Sequence, residues 1–113
     1  MEQTARQHPR FKVTLPVELK SSSVAAPLRA QTQDIGLGGL YVEMSFTQDI
    51  STELEIKLWI GDTKICATGV IVSSHPSFGN GIKFTHLPDE SKEILRQHLE
   101  SLNPATMRKH AVL

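Results

Sequence analysis

The sequence predicts a mainly β fold: a six-stranded antiparallel barrel with a single C-terminal α-helix. Three observations predict it. Apolar and polar residues alternate through residues 11–19, 40–44 and 54–60. Short turn-forming stretches rich in glycine, proline and serine separate these runs. The hydrophobic period lengthens from two to that of a helix only after residue 88.

The elements follow in order. FKVTLPVEL at 11–19 puts Phe11, Val13, Leu15, Val17 and Leu19 on one face and Lys12, Thr14 and Glu18 on the other, as in a half-buried strand. Pro16 has no N–H to give to a ladder, so this strand is expected at an edge or with a bulge. SSSVAAP at 21–27 is a loop, and a second strand runs from Leu28 toward Asp34 with a weak pattern. GLGG at 36–39 forms a tight turn with φ > 0 open at its three glycines, and LYVEM at 40–44 alternates again. LEIKLWI at 54–60 turns Leu54, Ile56, Leu58 and Ile60 inward and Trp59 outward, where packing under the helix is its expected role. Gly61-Asp62 is a two-residue hairpin turn with glycine first, as type II′ requires. The partner strand spans 63 to about 73, and its Val70-Ile71-Val72 run predicts burial on both sides. After the HPSFGNG turn, GIKF at 81–84 is the last strand. Ile94, Leu95, Leu99 and Leu102 then share one helical face, with Asp89 as the expected N-cap and Asn103-Pro104 as the stop.

The bulk properties narrow the function. The chain has 113 residues, 39 % of them hydrophobic and 5 % aromatic, enough for one modest core. Twelve basic residues balance twelve acidic ones, so no general field draws a nucleic acid. No apolar run approaches the roughly 20 residues of a membrane span, and the polar start MEQTARQ lacks the core of a signal peptide. The one cysteine, Cys66, makes no internal disulfide. A soluble, cytoplasmic protein, monomeric or weakly dimeric, is expected. Charge is nevertheless patterned: the first 20 residues hold Arg6, Arg10, Lys12 and Lys20 against Glu2 and Glu18, while Glu43, Asp49, Glu53, Glu55 and Asp62 make the middle acidic. Such asymmetry suits a small anion.

Catalysis needs converging groups, and the sequence offers none. Cys66 lies mid-strand among apolar residues and is expected to be buried and structural. His8, His75, His86, His98 and His110 show no metal-ligand spacing. GLGG lacks the Lys-Ser/Thr of a Walker loop and leads into a strand rather than a helix. No enzymatic activity, cofactor or metal is expected.

Two motifs remain: R-x-x-x-R at Arg6 and Arg10, within RQHPRF, and DIGLGG at 34–39. In extended backbone, residues four apart point the same way and lie roughly 13 Å apart. Pro9 favours that extension. Two guanidinium forks so placed can reach different parts of one ligand. By composition alone, however, paired arginines near a terminus are more often solvated charges, and an aspartate before glycine is commonly a turn residue.

With GGLYV and GIKF in the same order and a helix to finish, the chain resembles the PilZ domain family over roughly residues 6–102. The resemblance implies a six-stranded barrel with a C-terminal helix and a receptor for cyclic di-GMP. The family signature, R-x-x-x-R plus D/N-x-S-x-x-G, falls on Arg6, Arg10, Asp34, Gly36 and Gly39, with Gly36 in place of the serine. Arginine forks match phosphate oxygens and also guanine O6 and N7. A carboxylate accepts from guanine N1–H and N2–H, and Gly39 allows a close backbone approach or a positive φ. The resemblance further implies signalling through an unidentified effector protein. The alternative is a PilZ-like adaptor that binds no nucleotide and works by motility- or pilus-related protein contacts. The expected organisation is a flexible arm at 1–10 carrying R-x-x-x-R, the barrel and helix at 11–103, and a tail at 104–113.

Overall fold

The computed structural model describes residues 8–45 and 48–102. Arg6 and most of the expected arm, the Asn103-Pro104 stop and the 104–113 tail lie outside the described residues. The elements are β1 (Phe11–Lys12), β2 (Pro16–Lys20), β3 (Leu28–Gly36), β4 (Gly39–Glu43), β5 (Glu53–Ile60), β6 (Thr63–His75), β7 (Gly79–His86) and α1 (Asp89–Ser101).

Every ladder is antiparallel, and the sheet closes on itself in the order β3-β2-β5-β6-β7-β4 and back to β3. Closure leaves the ring without an open edge. Its interior is filled by the inward residues of each strand, among them Val17, Leu19, Ile35, Leu40, Val42, Ile56, Leu58, Ile71 and Ile82. Leu95 and Leu99 of α1 join that core, and the helix lies against β6. Burying each such leucine contributes roughly 1.5–3 kcal/mol. The predicted six-stranded barrel with a C-terminal helix is the observed fold, with one short strand added.

The added strand comes from splitting the first expected one. β1 pairs with β3 through Phe11↔Ile35 and Lys12↔Asp34, while β2 pairs with β3 from Pro16↔Gln31 to Leu19↔Leu28. Across the gap, the Thr32 hydroxyl accepts from the Leu15 amide (2.9 Å) and donates to the Val13 carbonyl (2.7 Å). Pro16 does not mark an edge strand, since β2 runs between β3 and β5. It is the first residue of β2, and the ladder to β5 begins only at Val17↔Leu58, so no ladder bond needs its missing N–H.

Four further expectations are corrected. Pro88, not Asp89, is the helix N-cap: its ψ of 149° lies outside the helix and its carbonyl accepts from the Lys92 amide at 2.8 Å. Asp89 is the first helical residue, still placed for the helix dipole. Val72 is 49 % exposed, because the alternation of β6 turns Ile65, Ala67, Gly69 and Ile71 inward and leaves Val72 on the outer face, where the β6–β7 register then shifts between Ile71 and Ser73. Cys66 is exposed rather than buried, because Ile65 and Ala67 take the inward positions on either side. No glycine in the 36–39 turn has a positive φ; among the described glycines only Gly61 does, at 62°. That value fits the first position of the type II′ hairpin between β5 and β6. No described helix is long and apolar enough to cross a membrane.

Candidate ligand-binding site

The site grows from an irregularity in β3. Between Thr32 and Asp34 the β3–β4 register shifts, so that Thr32 pairs with Val42 while Asp34 pairs with Tyr41. Gln33 is the extra residue. Strict alternation cannot hold across such a bulge. Thr32 and Ile35 are both buried, and the two residues between them, Gln33 and Asp34, face outward. The bulge thus delivers the Asp34 carboxylate to the barrel surface.

The N-terminal segment runs past the same spot. Continuing the Phe11↔Ile35 register sets Arg10 beside Gly36. Arg10 Nη1 donates to Asp34 Oδ1 at 2.6 Å, with the two side chains 18 % and 27 % exposed. Gly36 makes this approach possible. A Cβ there would lie 2.4 Å from the Pro9 carbonyl oxygen and 3.3 Å from Arg10 Cδ, well inside van der Waals contact for the backbone atom. Glycine at 36 is therefore required by the passage of the segment.

Gly39 has a different task. A Cβ on it would fall 2.1 Å from the Ile82 carbonyl oxygen. Its bareness lets β4 lie close against β7 at the Gly39↔Lys83 pair. Of the five residues singled out from sequence, the structure brings Arg10, Asp34 and Gly36 together and packs Gly39 into the ladder at the other side of the turn. Arg6 lies outside the described residues.

Three side chains not singled out from sequence complete the surroundings. Tyr41, opposite Asp34, faces outward, and its hydroxyl lies 3.0 Å from His75 Nδ1. Burial first, then the charges of Asp34 and Glu43, raise its pKa above the ordinary phenol value. Phe78, in the β6–β7 turn, is 73 % exposed. Gln33, Asp34, Tyr41, Glu43, His75 and Phe78 line one cleft. The outward position of Tyr41 in the 40–44 alternation was a legible signal; nothing local in sequence joins it to His75 and Phe78.

The PilZ domain profile matches residues 4–101. The chain belongs to the PilZ domain family. No curated protein sequence matches it, but solved structures share its fold. The PilZ domain with c-di-GMP of YcgR from Escherichia coli superposes with a TM-score of 0.72 at 13 % identity, over 96 % of this chain and 98 % of that one. The Bacillus subtilis inhibitor of motility, MotI/DgrA, gives 0.72 at 14 % identity, over 94 % of this chain and 51 % of its own. The Borreliella burgdorferi PlzA protein in complex with c-di-GMP gives 0.64 at 20 % identity, over 84 % and 41 % respectively. This PilZ chain thus spans about half the length of MotI.

Proposed function

We propose that this PilZ domain is a cyclic di-GMP receptor that signals through a protein partner. The observation that carries the reading is the meeting of Arg10, Asp34 and Gly36 at one surface point, with the arginine already engaged by the carboxylate at 2.6 Å. A cyclic dinucleotide supplies groups for both halves of that pair. Its phosphate replaces Asp34 as the partner of the Arg10 fork, and a guanine donor edge replaces Arg10 as the partner of Asp34. Arg6 is the second fork of the same clamp, and residues 1–10 are the arm that carries both.

The magnitudes favour exchange. A partly exposed ion pair contributes on the order of 1 kcal/mol, whereas each charge-assisted arginine contact to the ligand contributes roughly 1.5–3 kcal/mol. The hydroxyl missing at Gly36 costs roughly 0.5–1.5 kcal/mol, at most about tenfold in affinity. The output is a changed surface read by an effector protein in the cytoplasm, and the domain itself performs no reaction. MotI, whose name is that of a motility inhibitor, supports a motility component as the class of effector.

One observation favours a second reading. Arg10 and Asp34 satisfy each other, and a serine at position 36 has no room beside Pro9. A pair that never opens would make the domain a constitutive adaptor. Calorimetric titration with cyclic di-GMP separates the two. The receptor reading expects micromolar or tighter binding that Arg10→Ala removes. No heat at high micromolar ligand leaves the adaptor.

A further inference from the structure

The outer face of β5 and β6 is charged or polar for most of its length, with Glu53, Glu55 and Lys57 on one strand and Lys64, Cys66 and Thr68 on the other. It turns apolar at one place. Val70 is half-buried and Val72 is 49 % exposed, two positions apart on the same side of β6. Here the loop before β5 carries the pairing on. The Ser51 amide donates to the Ile71 carbonyl at 2.8 Å, and the Ile71 amide donates to the Thr52 carbonyl at 2.9 Å. Ser51 and Thr52 thus both face Ile71, which sets Ile50 beside Val72. Ile50 is 59 % exposed.

This placement is fastened on both sides. Ser51 has a φ of 77°, a left-handed value uncommon outside glycine. The fully buried Asn80 side chain accepts from the Gln48 amide at 2.8 Å and donates to the Gln48 and Ser73 carbonyls at 3.0 and 3.1 Å. The loop is therefore pinned before and after Ile50, and the isoleucine is held out of the core. The run Val70-Ile71-Val72 asks for burial on both sides of β6, but the chain itself buries only Ile71. A small apolar patch with a charged rim is the mark of an interaction surface.

The rim says which partner fits. Glu53 pairs with Val70 from one side and Lys83 from the other, so the row reads carboxylate, valine, ammonium. Both charged residues are exposed, and neither makes a salt bridge among the described residues. Such a row is complementary to itself. A twofold axis running along β6 sets Val70 on Val70 and brings Glu53 to the second copy's Lys83, twice by symmetry. A twofold axis across the strands would instead set Glu53 on Glu53 and Lys83 on Lys83, which like-charge repulsion opposes.

We propose that this face is a self-association surface, on which two copies of the domain pack β6 against β6 with Ile50, Val70 and Val72 at the centre and Glu53–Lys83 pairs at the rim. Three apolar side chains make a small interface, so the dimer is weak and transient. It uses none of the residues of the candidate ligand-binding site and stands apart from the receptor reading.

The test is sedimentation velocity without nucleotide, at protein concentrations from about 10 µM to about 1 mM. The samples are wild type, Val72→Lys, Glu53→Lys, Lys83→Glu and the double variant Glu53→Lys/Lys83→Glu. Every replaced side chain lies on the outer face, so far-UV circular dichroism should be unchanged. Wild type should dimerise as concentration rises, and Val72→Lys should stay monomeric. Each single charge reversal places like charges together at two symmetry-related points and should weaken association roughly tenfold or more. The double exchange should restore it, a recovery that a purely apolar contact would not give. A wild type that is monomeric throughout overturns the proposal and leaves the face to a different protein. Dimerisation of Val72→Lys at wild-type strength puts the contact elsewhere and overturns it too. A double variant no stronger than the single reversals overturns the twofold packing along β6.

Discussion

Arg10 Nη1 and Asp34 Oδ1 stand 2.6 Å apart, joining the segment before β1 to the bulge of β3. The two groups that the receptor reading assigns to the nucleotide are each other's partners in this structure. Their contribution to folding and to binding should therefore separate. Arg10→Ala should lower stability by only about 1 kcal/mol in urea denaturation, because the pair is partly solvated. It should weaken cyclic di-GMP binding by tenfold or more. A stability loss of several kcal/mol would mark the pair as a structural anchor instead.

Gly36→Ser is expected to act first on the N-terminal segment. The serine Cβ cannot stand 2.4 Å from the Pro9 carbonyl oxygen, so residues 8–10 must shift and the Arg10–Asp34 contact must lengthen. Hydrogen exchange of the Phe11 and Lys12 amides should accelerate, while the Leu19 and Ile56 amides in the ring stay protected. Restoring the family's serine without moving the segment would show that Pro9 has more freedom than its packing implies.

Tyr41 reports the charge beside it. It is the only tyrosine, so phenolate absorbance titrates one group. Its midpoint should lie above the ordinary value near 10, and Asp34→Asn should bring it down by removing the nearby negative charge that adds to the effect of burial. The folded state holds this proton more tightly than the unfolded chain. The associated stability is fully present below pH of about 10 and is lost as pH rises through the folded pKa. A midpoint unmoved by Asp34→Asn would place the two side chains farther apart.

Gly39→Ala should destabilise the barrel by about 1–3 kcal/mol, since β4 and β7 must part to admit a methyl group now occupied by the Ile82 carbonyl. Leu95→Ala should cost more, roughly 2–5 kcal/mol, by opening a cavity where α1 meets the ring. Chemical denaturation of both variants checks the order. Equal stability of Gly39→Ala and wild type would remove the packing reason for that glycine.

Much of the barrel was legible because period-two alternation holds wherever one face is buried. Residues 54–60 show it without interruption, and they form one regular strand. Legibility failed where the backbone departs from that period. The weak pattern of residues 28–34 is the β3 bulge seen from sequence: one inserted residue reverses which side chains face the core. Val72 and Cys66 differ from expectation for one reason: both fall on the solvent side of the regular alternation of β6. Apolar neighbours in sequence are not neighbours across a pleat.

The site was legible in its motifs and not in its surroundings. Arg10 and Asp34 stand 24 positions apart and meet because β1 pairs with the far end of β3, a register that no local pattern specifies. From sequence, the 36–39 turn leaves positive φ open at its glycines, and Gly39 allows either that or a close backbone approach; the structure shows the close approach. Gly36 and Gly39 both serve as gaps that other backbone atoms fill. Which of these two uses a glycine has depends on strands distant in sequence. The same holds for the cleft, whose lining comes from β3, β4 and the β6–β7 turn.

Thr32 gives the N-terminal segment a stopping point. Its single hydroxyl fastens both Val13 and Leu15, immediately behind the two-residue ladder of β1. Those two bonds tie Val13 and Leu15 to β3 independently of the β1 ladder, so the closed ring does not depend on β1 for its seal.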